Sequence, residues 1–78
     1  MDPIDLGYKR LAAAIIQQAC EDYYDALMKL KEKPGDLTAA KTIEDAENFF
    51  YSDWFEVLGD LDPDQIIRLL KQKAQHDS

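Results

Sequence analysis

Between Tyr8 and Leu30 the apolar residues Leu11, Ala12, Ile15, Ile16, Ala19, Tyr23, Ala26, Leu27 and Leu30 recur at three- and four-residue steps. Gln18, Glu21, Asp22, Asp25 and Lys29 fall on the other side. This is the period of an α-helix with one face turned to a core, and it predicts a first helix ending at Lys31 or Glu32. Asp2, Pro3 and Asp5 supply a start signal: a cap, a proline at the first helical position and an acid at the positive end of the dipole. Gly7 weakens that first turn, so the firm helix is expected to begin nearer Tyr8. At Lys33-Pro34-Gly35-Asp36 the pattern breaks, because Pro34 cannot continue a helix, Gly35 permits a positive backbone dihedral and Asp36 can cap the next helix. So short a turn implies an antiparallel pair. The second helix, about Leu37 to Tyr51, places Ala39, Ile43, Ala46 and Phe50 on one face with Phe49 beside it, and turns Lys41, Glu44, Asp45 and Glu47 mostly away.

The stretch Phe49-Phe50-Tyr51-Ser52-Asp53-Trp54-Phe55 holds all three phenylalanines and the single tryptophan, so the other segments are read by what they can pack against it. Ser52-Asp53 forms a corner where either residue can cap a short helix, Trp54 to Leu58, that stops at Gly59. The next start signal is strong: Asp62 as cap, Pro63 at the first helical position, Asp64 against the dipole and Gln65 three residues after the cap. Ile66, Ile67, Leu69 and Leu70 give this last helix its apolar face, Lys71 and Lys73 suit its negative end, and Gln75 with residues 76–78 is expected to fray. Val and Thr are scarce and no segment alternates apolar with polar residues, so strands are not expected. The fold class is all-α: a small bundle of two longer antiparallel helices, with the Trp54 turn and the last helix folded across one end. Its core is Ile15, Ala19, Tyr23, Leu27, Ile43, Phe50, Trp54, Leu58, Ile66 and Leu70.

Composition narrows the function classes. A chain of 78 residues is large enough for one core and one domain, and a domain this small gains from a partner subunit. The formal net charge is −7, from sixteen Asp and Glu against nine Lys and Arg, which disfavours binding to a phosphate backbone and suits solubility or a partner with a basic face. With one cysteine, Cys20, an intramolecular disulfide is excluded. The opening Met1-Asp2-Pro3-Ile4-Asp5 lacks the basic and apolar parts of a signal peptide, and the run Leu11 to Ile16 is too short to span a bilayer. A cytoplasmic protein without a membrane segment is expected.

Candidate chemistry is sparse. Asp60, Asp62 and Asp64 have the alternate spacing of a calcium loop, but the sixth position, where glycine is needed, is Gln65 and the twelfth, where a bidentate glutamate is needed, is Lys71. Glu21, Asp22, Asp25, Glu44, Asp45 and Glu47 could pair as acid and base or hold metal, yet bundle metal sites need a Glu-x-x-His pair that this chain lacks. These acids therefore read as a charged outer surface, or as a recognition surface for a basic protein. Cys20 lies at the edge of an apolar face, as inert thiols do, and His76 has no partner in sequence. No catalytic, cofactor or metal residue is assigned, and an enzyme is not expected. Lys29, Lys31, Lys33 and Lys41 gather around the first turn, as complements to helix dipoles or as a contact for an anion. Tyr8, Tyr24, Met28 and Tyr51 border the apolar faces and would form an interface patch if exposed together.

Two runs, Phe49-Phe50-x-Ser52-Asp53-Trp54-Phe55-x-x-Leu58-x-Asp60-Leu61-Asp62 and Ile66-Ile67-Arg68-Leu69-Leu70, together with Ala14-Ile15-Ile16-x-Gln18-Ala19, carry a resemblance over nearly the whole chain. The sequence resembles a group of small, uncharacterised helical proteins encoded in phages, prophages and mobile elements of Gram-positive bacteria. That resemblance implies a setting in which small acidic proteins act by stoichiometric binding, inhibiting a host or defence protein or assisting replication and packaging. The expected function is thus a non-enzymatic protein-interaction module acting through an acidic helical surface. Self-association as a homodimer stays open as the alternative, and nucleic-acid binding through the lysine corner ranks below both.

Overall fold

The breaks in the hydrophobic pattern at Asp36 and Asp62 become capped helix starts. The computed structural model describes the backbone of residues 3–53, 55 and 62–77 and the side chains of residues 10–53, 55 and 62–77. Three helices organise these residues: α1, Pro3–Glu32; α2, Leu37–Phe50; and α3, Pro63–His76. There is no strand among the described residues, so the chain is all-α.

The first turn closes through the Asp36 amide, which donates to the Lys33 carbonyl at 3.0 Å, while the Lys33 amide donates to the Lys29 carbonyl at 2.8 Å. Pro34 and Gly35 are the central pair. Gly35 does not use the positive dihedral open to it, because a turn with proline first and both central dihedrals negative is a type I turn that any residue can complete. The Asp36 side chain then accepts from the Ala39 amide at 3.0 Å and caps α2. Tyr51 ends α2, its amide donating to Glu47. At the corner beyond, Ser52 is the capping residue: its hydroxyl donates to the Phe49 carbonyl at 2.6 Å and accepts from the Phe55 amide at 3.4 Å. Asp62 accepts from the Asp64 amide at 3.0 Å and starts α3.

Tyr23, Ala46, Phe50, Phe55 and Ile67 form the buried cluster, with Ile16, Ala19, Cys20, Leu27, Ile43, Phe49, Ile66 and Leu70 packed around it. Alanines at Ala12, Ala26, Ala39, Ala46 and Ala74 are also buried; their small side chains let helix axes approach closely where they cross. Of the expected core, Tyr23 and Phe50 are fully buried, and Ile43, Leu27, Ile66 and Leu70 are half-buried against the cluster. Trp54 and Leu58, with the short helix assigned to them, lie outside the described residues apart from Phe55. Ile15 does not join the cluster, because one residue turns a helix by about 100° and Ile16, not Ile15, points inward. Leu69, expected on the apolar face of α3, is 55% exposed; two positions from Ile67, it lies almost opposite it on the helix.

α3 is fastened at both ends. The Tyr51 hydroxyl donates to Asp64 in its first turn, and the Tyr24 hydroxyl donates to Asp77 at its far end. Between them Lys31 donates to the Ala74 carbonyl, and Lys71 lies 3.9 Å from Glu47. α3 is helical through His76, with the Asp77 amide on the Lys73 carbonyl at 3.0 Å and its carboxylate 3.3 Å from the Lys73 amine. Thirty residues of α1 span about 45 Å, which accounts for the 47 Å long axis of the molecule.

An alanine at Gly35 meets no atom within 4 Å. Gly35→Ala should therefore stabilise the protein by about 0.4–1 kcal/mol, by narrowing the unfolded ensemble without straining the turn. Urea denaturation measures this, and a clear loss of stability would contradict a type I turn.

Candidate functional site

Five of the six candidate acids are exposed: Glu21, Asp22 and Asp25 on α1, Glu44 and Asp45 on α2. Helical rotation keeps them in two separate stripes, Glu21 and Asp25 on the back of α1 and Glu44 with Asp45 on the outer side of α2. Glu21 and Asp22 are held by neutral amides, Gln17 at 3.3 Å and Gln18 at 2.9 Å, which orient the carboxylates and leave their charge in place. Asp45 pairs with Lys41 at 3.2 Å, one helical turn away.

Glu47 departs from the outward position expected of it. Its carboxylate accepts from the Tyr23 hydroxyl at 2.8 Å and faces Lys71 at 3.9 Å, so it sits where all three helices meet. The cause is rotational: Glu47 lies one turn from Ile43 and nearly one turn from Phe50, both inward-facing, on the flank of α2 that α3 covers. Its charge belongs to the internal architecture.

The other chemical groups are similarly occupied. Cys20 is half-buried and its thiol is pushed up from the ordinary value, first by burial and then by the charge of Glu21. It stays protonated and is a poor nucleophile. Lys31 and Lys41 of the lysine corner are engaged by Ala74 and Asp45. Tyr24 and Tyr51, the suspected interface tyrosines, spend their hydroxyls on α3; their phenols are raised chiefly by those bonds to Asp77 and Asp64. Lys73 also lies 5.5 Å from the centre of the Tyr24 ring. Asp62 and Asp64 of the tested calcium spacing serve as a cap and as the Tyr51 acceptor. Among the described residues no group of three or more His, Cys, Asp or Glu comes together as a metal site, and no described helix is long and apolar enough to cross a membrane.

One surface feature was not visible as such in the sequence. Ile15 of α1 and Phe49 at the end of α2 line an open groove whose other walls, among the described residues, are Asp45, Asn48, Ser52 and Asp53. Leu11, one turn before Ile15 on the same stripe, is 61% exposed. The signal was present as Leu11 and Ile15 lying about 100° from the inward line of Ala12, Ile16, Ala19 and Tyr23, which makes the apolar face of α1 wider than one neighbour needs.

Comparison of the chain with protein-family models, curated proteins and solved structures returns no match.

The Tyr23 phenol is pushed far above its ordinary value near 10, first by burial, then by the hydrogen bond it gives to Glu47 and by that carboxylate's charge. The folded chain thus holds this proton more tightly than the unfolded chain does, and the associated stability is full below pH 10 and declines as pH rises beyond it. Tyr23→Phe should cost about 1–2 kcal/mol at pH 7 through the lost charged hydrogen bond, and should make the alkaline loss shallower. Urea titrations at pH 7 and pH 11 read both effects; an unchanged alkaline slope would show that Tyr23 is not the group responsible.

Proposed function

We propose that this chain is a non-enzymatic protein-interaction module of phage or mobile-element type. It acts in the cytoplasm as a stoichiometric inhibitor or accessory factor on a host or defence protein, and its acidic helical surface meets a basic face of that protein. The observation that carries this reading is the state of Glu21 and Asp22. Both are exposed and oriented by neutral glutamines, so their charge is presented outward at fixed positions. The poor nucleophilicity of Cys20 and the use of Glu47 and the tyrosines in holding helices together support binding over chemistry. The genomic setting rests on the sequence resemblance.

The exposed Tyr51 ring and Leu37 favour the second reading, self-association. The net charge of −7 on each copy works against it.

The test is capture from a Gram-positive host lysate by the immobilised chain, with a variant carrying Glu21→Lys, Asp22→Lys and Asp25→Lys as control. The reading predicts a saturable partner retained in fixed stoichiometry and lost with the variant, whose circular dichroism is unchanged. Absence of any saturable partner, or retention by the variant, would overturn it.

A further inference from the structure

A pair of packed helices has two lateral grooves. On one side of α1 and α2 the groove is filled by α3, through Ile67, Leu70 and Ala74 and the polar ties of Tyr23, Glu47 and Lys71. On the other side it is open among the described residues. Its floor is the half-buried pair Ile15 and Phe49, continued by exposed Leu11, and its rim carries Asp45 and Asp53, with Asn48 and Ser52 between them. Asp45 shares its charge with Lys41 at 3.2 Å, in an exposed pair that a partner's cation can replace. Asp22 stands two turns along α1 from Ile15, on the same stripe.

The volume, about 690 Å³, is within the range of small-molecule pockets, but the chemistry is not. Such pockets converge a few polar groups on the ligand, whereas here the floor is apolar and the polar groups stand at the edge, the arrangement of a protein interface. Helix flanks expose no unpaired backbone groups, so an added strand would find nothing to pair with. A helix would settle between α1 and α2 as α3 does on the far side. Charge decides which helix. A second copy of this chain related by two-fold symmetry would set Asp45 and Asp53 against acidic rims on a body that also carries −7. A helix with Lys or Arg flanking an apolar stripe would satisfy floor and rim together.

We infer that the open groove of Ile15 and Phe49, rimmed by Asp45 and Asp53, receives a basic amphipathic helix of the partner protein. This deepens the interaction-module reading and rests on it. The bound helix sets its apolar residues at three- and four-residue spacing on Ile15, Phe49 and Leu11, and its cations reach Asp45 and Asp53. The stripes of Glu21, Asp25 and Glu44 stand beside the bound helix and meet the basic face of the protein that carries it.

The experiment uses the full chain and a fluorescein-labelled amphipathic Leu/Lys peptide of about 18 residues, five helical turns, read by fluorescence anisotropy, with a Leu/Glu peptide of the same pattern beside it. The groove predicts saturable one-to-one binding of the Leu/Lys peptide and none of the Leu/Glu peptide. Ile15→Ser should weaken binding at least about tenfold, the scale of one buried apolar contact. Asp45→Asn with Asp53→Asn, both at exposed positions, should weaken it and flatten its salt dependence. Leu69→Ser, on the outward side of α3, should change nothing. Failure to bind, or binding indifferent to Ile15→Ser and to the double Asn variant, would overturn the proposal. So would a concentration-dependent dimer in light scattering that Ile15→Ser abolishes, since the occupant would then be a second copy. Lysate capture that depends on Glu21, Asp22 and Asp25 but not on Ile15 would leave the interaction module standing and remove the groove.

Discussion

The Tyr23 side chain is the point at which the three helices are joined. Its ring is fully buried and meets Phe50 edge-on, at 5.9 Å and 78°, and Phe50 meets Phe55 in the same way at 5.6 Å and 82°. Each such pair adds about 0.5–1.5 kcal/mol beyond the area it buries, a large share for a domain whose net stability is only a few kcal/mol. The ring alone would bind α1 to α2. The hydroxyl extends the link, because it donates to Glu47, and Glu47 in turn faces Lys71 of α3. A phenol in a core needs an acceptor, and the acceptor chosen here also draws in the third helix.

From that junction the remaining asymmetry follows. α3 lies on one flank of the α1 and α2 pair and is held there by Tyr24, Tyr51 and Lys31 as well as by Ile67 and Leu70. Every one of those ties is on the same side. Among the described residues no helix covers the apolar residues of the other flank, and its rim keeps acids that the interior does not use. What the architecture leaves at the surface is a set of outward carboxylates at Glu21, Asp22 and Asp45 and an apolar seam at Ile15 and Phe49.

The turn between α1 and α2 and the start of α3 were legible because they depend on local chemistry, whereas α1 is helical from Pro3 although Gly7 placed its firm start nearer Tyr8. Asp36 and Asp62 cap helices where their sequence context places them, and Pro34 stops α1. Tyr23 and Phe50 were legible as core from period alone. What period could not resolve is which of two adjacent apolar residues points inward. Ile66 and Ile67 differ by about 100° of rotation, and only the position of the aromatic cluster makes Ile67 the deeper one; Leu69 and Ile15 are displaced for the same reason. Nor does a sequence show how far a polar side chain reaches. Glu47, read as a surface acid, is an internal acceptor, and Tyr24 and Tyr51, read as interface residues, are fasteners for α3. Of the candidate site, the exposed acids on α1 were visible in the pattern; the groove was not, since it is formed by residues more than thirty positions apart.

The most direct test of this arrangement is a nuclear Overhauser measurement on the aromatic ring protons in solution. If Tyr23 joins the helices, its ring protons give cross-peaks to those of Phe50, and Phe50 gives cross-peaks to Phe55, with dispersed shifts for all three rings. Averaged aromatic shifts without contacts between Tyr23 and residues 49–55, in a chain that is still helical by circular dichroism, would mean secondary structure without fixed packing and would contradict the account.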